Sequence, residues 1–222
     1  MPQLKIQDGD FLEVIYKLKL VGLVVTSDMT WQEHVNYTVG RVNKVLWQLT
    51  RFKQLGATAE QLLKYYILKI RSILMFGSVC YHSALTLHQR SQLELQQKRS
   101  LAIILENRYR GYDQARVLLQ LSSFEELREE ACAKWALKAQ ASPQHQHLFP
   151  KNTSIMQTRT RKEWLEQNCK SAKYFNSAVP SMIRSLNRLA SGRRTPSPSQ
   201  PNPASSFICS VQFPILMCLV SM

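Results

Sequence analysis

Few residues in this chain have the types and spacing that chemistry needs. Asp8-Gly9-Asp10 sets two carboxylates in one turn, where they could hold Mg²⁺; Asp and Gly are also ordinary turn residues, and a hairpin turn is the simpler reading. His145 and His147 flank Gln146 but have no third ligand nearby, so a surface loop is expected rather than a metal site. No Ser/His/Asp or Cys/His arrangement has local support. Neither G-x-x-x-x-G-K nor G-x-G-x-x-G occurs. The stretch 159–188 is different. It interleaves Arg159, Arg161, Lys162, Lys170, Lys173, Arg184 and Arg188 with Trp164, Tyr174 and Phe175. Cations neutralise phosphates and aromatic faces stack on unpaired bases, so this segment is a candidate nucleic-acid contact. The alternative is a solvated basic tail whose aromatics pack on the body.

Charge points the same way. The 222 residues carry 29 Lys+Arg against 15 Asp+Glu, a net charge of +14. Residues 151–222 hold ten basic and two acidic residues, more than half of the excess. A polyanionic partner, nucleic acid or an anionic membrane surface, fits that balance, as does a merely basic and well-solvated protein. Cys80, Cys132, Cys169, Cys209 and Cys218 are odd in number and form no C-x-x-C pair, which reads as reduced thiols in an intracellular setting.

The elements that must position these residues are mainly helical. Residues 3–25 read as short strands, with Leu18–Val25 as one apolar run and Gly22 marking a bulge or a close backbone approach. Asp28 or Thr30 is placed to cap a long helix ending near Leu55. Trp31, Val35, Val39, Val42, Leu46, Leu49 and Phe52 form its apolar stripe, and Arg41, Lys44, Arg51 and Lys53 lie mostly off it. His34, beside Val35, reads as a half-buried structural histidine. Thr58 with Gln61 predicts a capping box for a second, largely apolar helix that Gly77 ends or bends. A third helix spans about 86–105, with Leu93, Leu101 and Ile104 inward and Gln96, Gln97, Lys98 and Arg99 outward. Helices over about 113–121 and 123–139 follow, the last with a Ser123/Glu126 capping box. Residues 140–160 read as linker, and Pro180 opens a short helix lined by Met182, Ile183, Leu186 and Leu189. Residues 191–206 are Ser/Pro/Gly-rich and expected to be disordered. The apolar end Phe207–Met222 falls short of the ~20 residues a spanning helix needs, so a membrane partner is not expected.

The order of several motifs resembles the post-palm region of reverse transcriptases from non-LTR retrotransposons of the jockey-like kind. Leu12 to Trp31, LEVIYKLKLVGLVVTSDMTW, is similar to the family's strand, F-K-x-L-G-V and T-x-D-L-x-W pattern. Lys19, Leu20, Gly22, Thr26, Asp28, Trp31 and His34 match, while Leu18 stands where Phe is usual. Arg71, Leu74, His82 and Ser83 match R-P-x-L-E-Y…W-H-S, whereas Ser72, Met75 and Tyr81 depart from it. Gln97, Lys98, Arg99, Ile103 and Ile104 resemble a Q-K-R…I-I stretch. Ala115, Leu121, Leu127, Arg128 and Cys132 follow the next segment, and Asn168-Cys169 through Asn187 resembles the tail. The likeness covers about residues 3–190.

The resemblance implies a palm-edge, primer-grip-like β element at 1–27, a thumb-like three-helix bundle at 28–106, and further helices at 107–140. Beyond these come a linker and basic tail at 141–190 and an unrelated end at 191–222. It implies that the Lys19–Gly22 region helps hold a primer end, and that Arg41, Lys44, Lys98 and Arg99 lie along a template–primer backbone. With Arg161, Lys162, Arg184 and Arg188 from the basic tail, these are the candidate nucleic-acid-binding residues. The partner implied is RNA–DNA hybrid or RNA. The family's polymerase centre uses paired aspartates to hold Mg²⁺. This chain has no Asp-Asp pair, so neither catalysis nor a cofactor is expected of it. The other reading is a helical protein-interaction module with a basic tether.

Overall fold

The computed structural model describes residues 15–153 and 162–190. Asp8-Gly9-Asp10, the early strand residues, Arg159, Arg161 and everything from Ser191 onward lie outside the described residues. The described chain is mainly helical, with one short antiparallel hairpin at its N-terminal end.

That hairpin is the short antiparallel β element expected from the sequence, and it divides the apolar run Leu18–Val25 by a turn, with no bulge at Gly22. Strand β1, Lys17–Leu20, pairs with β2, Leu23–Thr26, through a two-residue turn at Val21-Gly22. Both turn residues have positive φ, 47° and 86°. This is the turn type whose twist matches that of paired strands. Glycine accepts it freely, while a β-branched Val does so under strain. Gly22 also lets the Phe76 ring approach: a Cβ there would stand 2.9 Å from Phe76 Cε1. Gly77, at φ 64°, plays the reciprocal part, since its Cβ would meet Leu23 Cδ2 at 2.5 Å. Two glycines thus clamp the hairpin to the corner at Phe76-Gly77.

Helix α1, Gln32–Gln54, follows. Its N-cap is Trp31, not Asp28 or Thr30. Asp28 instead closes the preceding turn, accepting from the Thr30 amide and hydroxyl and from the Thr26 hydroxyl. The stripe Val35, Val42, Leu46 and Leu49 is buried as the spacing requires, but Phe52 is exposed and stacks edge-on against Tyr65, centroids 4.9 Å apart. The Thr58/Gln61 capping box opens α2, Ala59–Tyr65. The helix then widens into a π-helical turn over Tyr66–Arg71 before α3, Ser72–Met75. After α4, Ser78–Tyr81, comes α5, Leu87–Leu105, opened by a Thr86/Gln89 capping box in addition to the two expected from the sequence.

Leu93, Leu101 and Ile104 face inward as expected. Gln96 and Gln97 do not face outward: both are buried. The amide of Gln97 donates to the Ser122 carbonyl at 3.0 Å, which meets part of the cost of burying a polar group. Helices α6, Tyr112–Leu118, and α7, Phe124–Ala141, complete the main core around Tyr66, Ile70, Leu74, Leu101 and Phe124.

A second, smaller core lies beyond α4 and α7. Val79, Ala136, Ala139, Phe149, Trp164, Met182, Ile183 and Leu186 build it, so the end of the described chain packs on the body. His145, expected in a surface loop, is buried against Trp135. Ahead of the last helix sits the single turn α8, Ala172–Phe175. Asn187, on α9 (Ala178–Ala190), reads Trp164 with both halves of its amide, accepting from the Trp164 amide at 2.8 Å and donating to its carbonyl at 2.9 Å. Among the described residues no helix is long and apolar enough to cross a membrane.

Candidate nucleic-acid interface

The solvent side of α1 carries a run of basic residues. From His34 to Ala59 the sequence has Arg41, Lys44, Arg51 and Lys53 and no acidic residue. At 3.6 residues per turn, Tyr37, Arg41, Lys44, Trp47, Gln48 and Arg51 fall on the arc opposite Val35, Val42 and Leu49. Lys19 joins this arc from β1. Its Nζ donates to Tyr37 Oη at 2.9 Å and lies 4.7 Å from the ring centroid, while the Arg41 guanidinium lies 5.8 Å from the same ring. The hydrogen bond from Lys19 lowers the Tyr37 pKa from its ordinary value. Arg51 lies 5.4 Å from the centre of the Trp47 indole. Arg99 reaches across from α5, donating to Asn43 Oδ1 at 2.9 Å on the rim of the arc.

The candidates therefore separate. Lys19, Arg41, Lys44 and Arg99 gather about α1. Gly22 sits at the hairpin tip with a conformational and packing reason to be glycine. Lys98 points to another corner, 5.1 Å from the Tyr112 ring, whose hydroxyl donates to the Glu94 carboxylate. Burial, then that hydrogen bond, raises the Tyr112 pKa.

Lys162, Arg184 and Arg188 lie on the surface of the C-terminal segment that packs on the second core. Lys162 pairs with Glu166 at 2.7 Å. Arg184 lies against the Phe175 ring and donates to the Phe175 carbonyl at 2.7 Å. Desolvation lowers the Arg184 pKa, yet the group stays a cation near neutrality. Lys173 ties α8 to the hairpin base by donating to the Asp28 carbonyl at 2.8 Å.

Tyr37, Trp47 and Arg51 complete the α1 face, and sequence reasoning did not place them among the candidates. One signal for Trp47 was readable: it stands one residue out of register with Leu46, off the apolar stripe. Among the described residues no group of three or more His, Cys, Asp or Glu is placed to hold a metal ion. Cys80, Cys132 and Cys169 are free thiols. Burial pushes Cys80 up to about 11 and Cys132 up to about 12, which makes both poor nucleophiles at neutral pH. Comparison with protein-family models, curated proteins and solved structures gives no match.

Proposed function

We propose that the chain is a non-catalytic remnant of a retroelement RNA-directed DNA polymerase, and that it binds nucleic acid nonspecifically along the outward face of α1. The observation that carries this reading is the acid-free arc itself, with Arg41, Lys44 and Arg51 on one side of α1, Lys19 beside them from β1 and Arg99 at the rim. Phosphates attract such a row whatever the base sequence, and contact with them carries no sequence preference. The ordered motif resemblance supports the origin, and the lack of an Asp-Asp pair supports the loss of polymerase chemistry.

The test is a titration of the full chain with an RNA–DNA hybrid at rising salt. Affinity that falls linearly on a log–log plot supports the reading. No binding at low salt, or affinity indifferent to salt, contradicts it.

A protein-interaction role has one observation of its own. Arg108, Arg110, Asp113, Gln114, Val117 and Leu118 line an open concavity of about 540 Å³ whose lining is mostly apolar. Val117→Asp should abolish binding of a partner there and leave nucleic-acid affinity unchanged.

A further inference from the structure

Phosphate contact gives no task to Trp47. Its indole leaves 64% of its surface exposed, in the middle of a cationic face. Tyr37, the other aromatic on that face, is already engaged by Lys19 and Arg41. Trp47 has the Arg51 guanidinium over its ring, 5.4 Å from the centroid and steadied by donating to Gln54 Oε1 at 2.9 Å, and still remains largely exposed. Arg41, Lys44, Trp47 and Arg51 therefore set one flat ring among three cations over about 15 Å of helix. A duplex buries its base faces and would meet only the cations. An unpaired strand offers regular charges and open π faces together, and cation-flanked aromatics are how such strands are held.

Resting on the nucleic-acid reading above, we infer that the outward face of α1 takes single-stranded nucleic acid, with an unpaired base stacked on Trp47 and neighbouring phosphates on Arg41, Lys44 and Arg51.

The chain contains its own reporter. Trp31 packs on His34 and Tyr81, Trp135 on His145 and Phe149, and Trp164 is buried, which leaves Trp47 as the tryptophan open to a ligand. The experiment compares the full chain with Trp47→Ala and Trp47→Phe, using a short oligothymidylate strand and a blunt DNA duplex of equal length. Circular dichroism and thermal melts confirm that the variants fold, as an exposed position allows.

The expected result is roughly tenfold weaker binding of the single strand by Trp47→Ala, most of it recovered in Trp47→Phe, with duplex binding almost unchanged. The single strand should also quench tryptophan emission in the wild type but not in Trp47→Phe. Equal loss for strand and duplex, or no loss for either, overturns the stacking inference while leaving phosphate binding standing. No binding of any nucleic acid at low salt overturns both. A self-associating wild type that Trp47→Ala makes monomeric, with strand affinity unchanged, shows instead that a second copy covers the indole and overturns the inference.

Discussion

The outward face of α1 and the interior between α4, α5 and α7 are both rich in arginine next to aromatic rings, and they do opposite things. On α1, Arg41 and Arg51 lie near Tyr37 and Trp47 with their charge open to solvent. Inside, Arg128 is fully buried, 5.2 Å from the Phe124 ring, with its Nε donating to His82 Nδ1 at 3.3 Å. Arg71 is also buried, at the end of the π-helical turn. Desolvation lowers the pKa of both interior arginines, but an arginine remains charged. The same residue type beside an aromatic ring is an open cationic surface in one place and a packing element in the other. Burial separates them, and residue identity does not.

Substitutions inside should therefore cost stability and leave the interface intact. Phe124→Ala removes a fully buried ring from the main core and should destabilise by about 3–5 kcal/mol in urea unfolding. Arg128→Ala should cost about 2–4 kcal/mol, and Arg128→Met distinctly less, because the methionine keeps the packing without the desolvated charge. If Arg128→Met costs as much as Arg128→Ala, the guanidinium is held by interactions stronger than the His82 contact.

Acid provides a second way to separate the regions. Burial pushes His34 down to about 4 and His82 to about 3, the latter helped by Arg128. In the unfolded chain these groups take up protons below about 6.5. The unfolded state therefore binds more protons between pH 6.5 and 4, and stability falls as pH drops through that window. Urea unfolding at pH 5 should show a loss of about 4 kcal/mol relative to pH 7.5, reduced by roughly half in His82→Gln. A flat profile would mean that the two rings are not held neutral.

The smallest expected effect concerns the hairpin that carries Lys19. Val21 holds a φ of 47° that Asn or Gly tolerates better. Val21→Asn should add up to about 1 kcal/mol in a thermal or urea melt. Destabilisation would indicate that the Val21 side chain contributes packing that its 43% exposure does not suggest.

Much of the fold is legible in the sequence because local signals agree with tertiary demand. The Thr58/Gln61 and Ser123/Glu126 boxes form as read, and Val35, Val42, Leu46 and Leu49 lie on one buried face of α1. What is not legible depends on partners distant in sequence. Gln96 and Gln97 look like solvent residues until the Arg99 side chain and the Ser122 carbonyl are seen beside them. The turn at Val21-Gly22 runs against the strand propensity of Val and follows from the Phe76-Gly77 corner against which the hairpin packs. His145 enters the second core because Trp135 and Phe149 are there to receive it.

The matched residues of the family resemblance divide in the same way. Arg71, His82 and Arg128 are interior and bear on the fold, whereas Lys19 and Arg99 bear on the surface. For the candidate interface, the cations of α1 were readable from periodicity. The position of Trp47 off the apolar stripe was readable too, but the pairing of Tyr37 with Lys19 was not, because it depends on how α1 sits against the hairpin.

The central claim is that the α1 face, rather than the basic C-terminal helix, carries nucleic-acid affinity. The direct measurement is the salt dependence of RNA–DNA hybrid binding for three proteins: wild type, Arg41→Ala/Lys44→Ala/Arg51→Ala, and Lys162→Ala/Arg184→Ala/Arg188→Ala. Removing one cation that neutralises a phosphate reduces the log–log slope by about 1. The α1 variant should therefore show a slope shallower by about three units while keeping its melting temperature. The C-terminal variant should change less, since Lys162 is paired with Glu166 and Arg184 is held by Phe175. An unchanged slope in the α1 variant, or a larger change in the C-terminal one, would contradict the account.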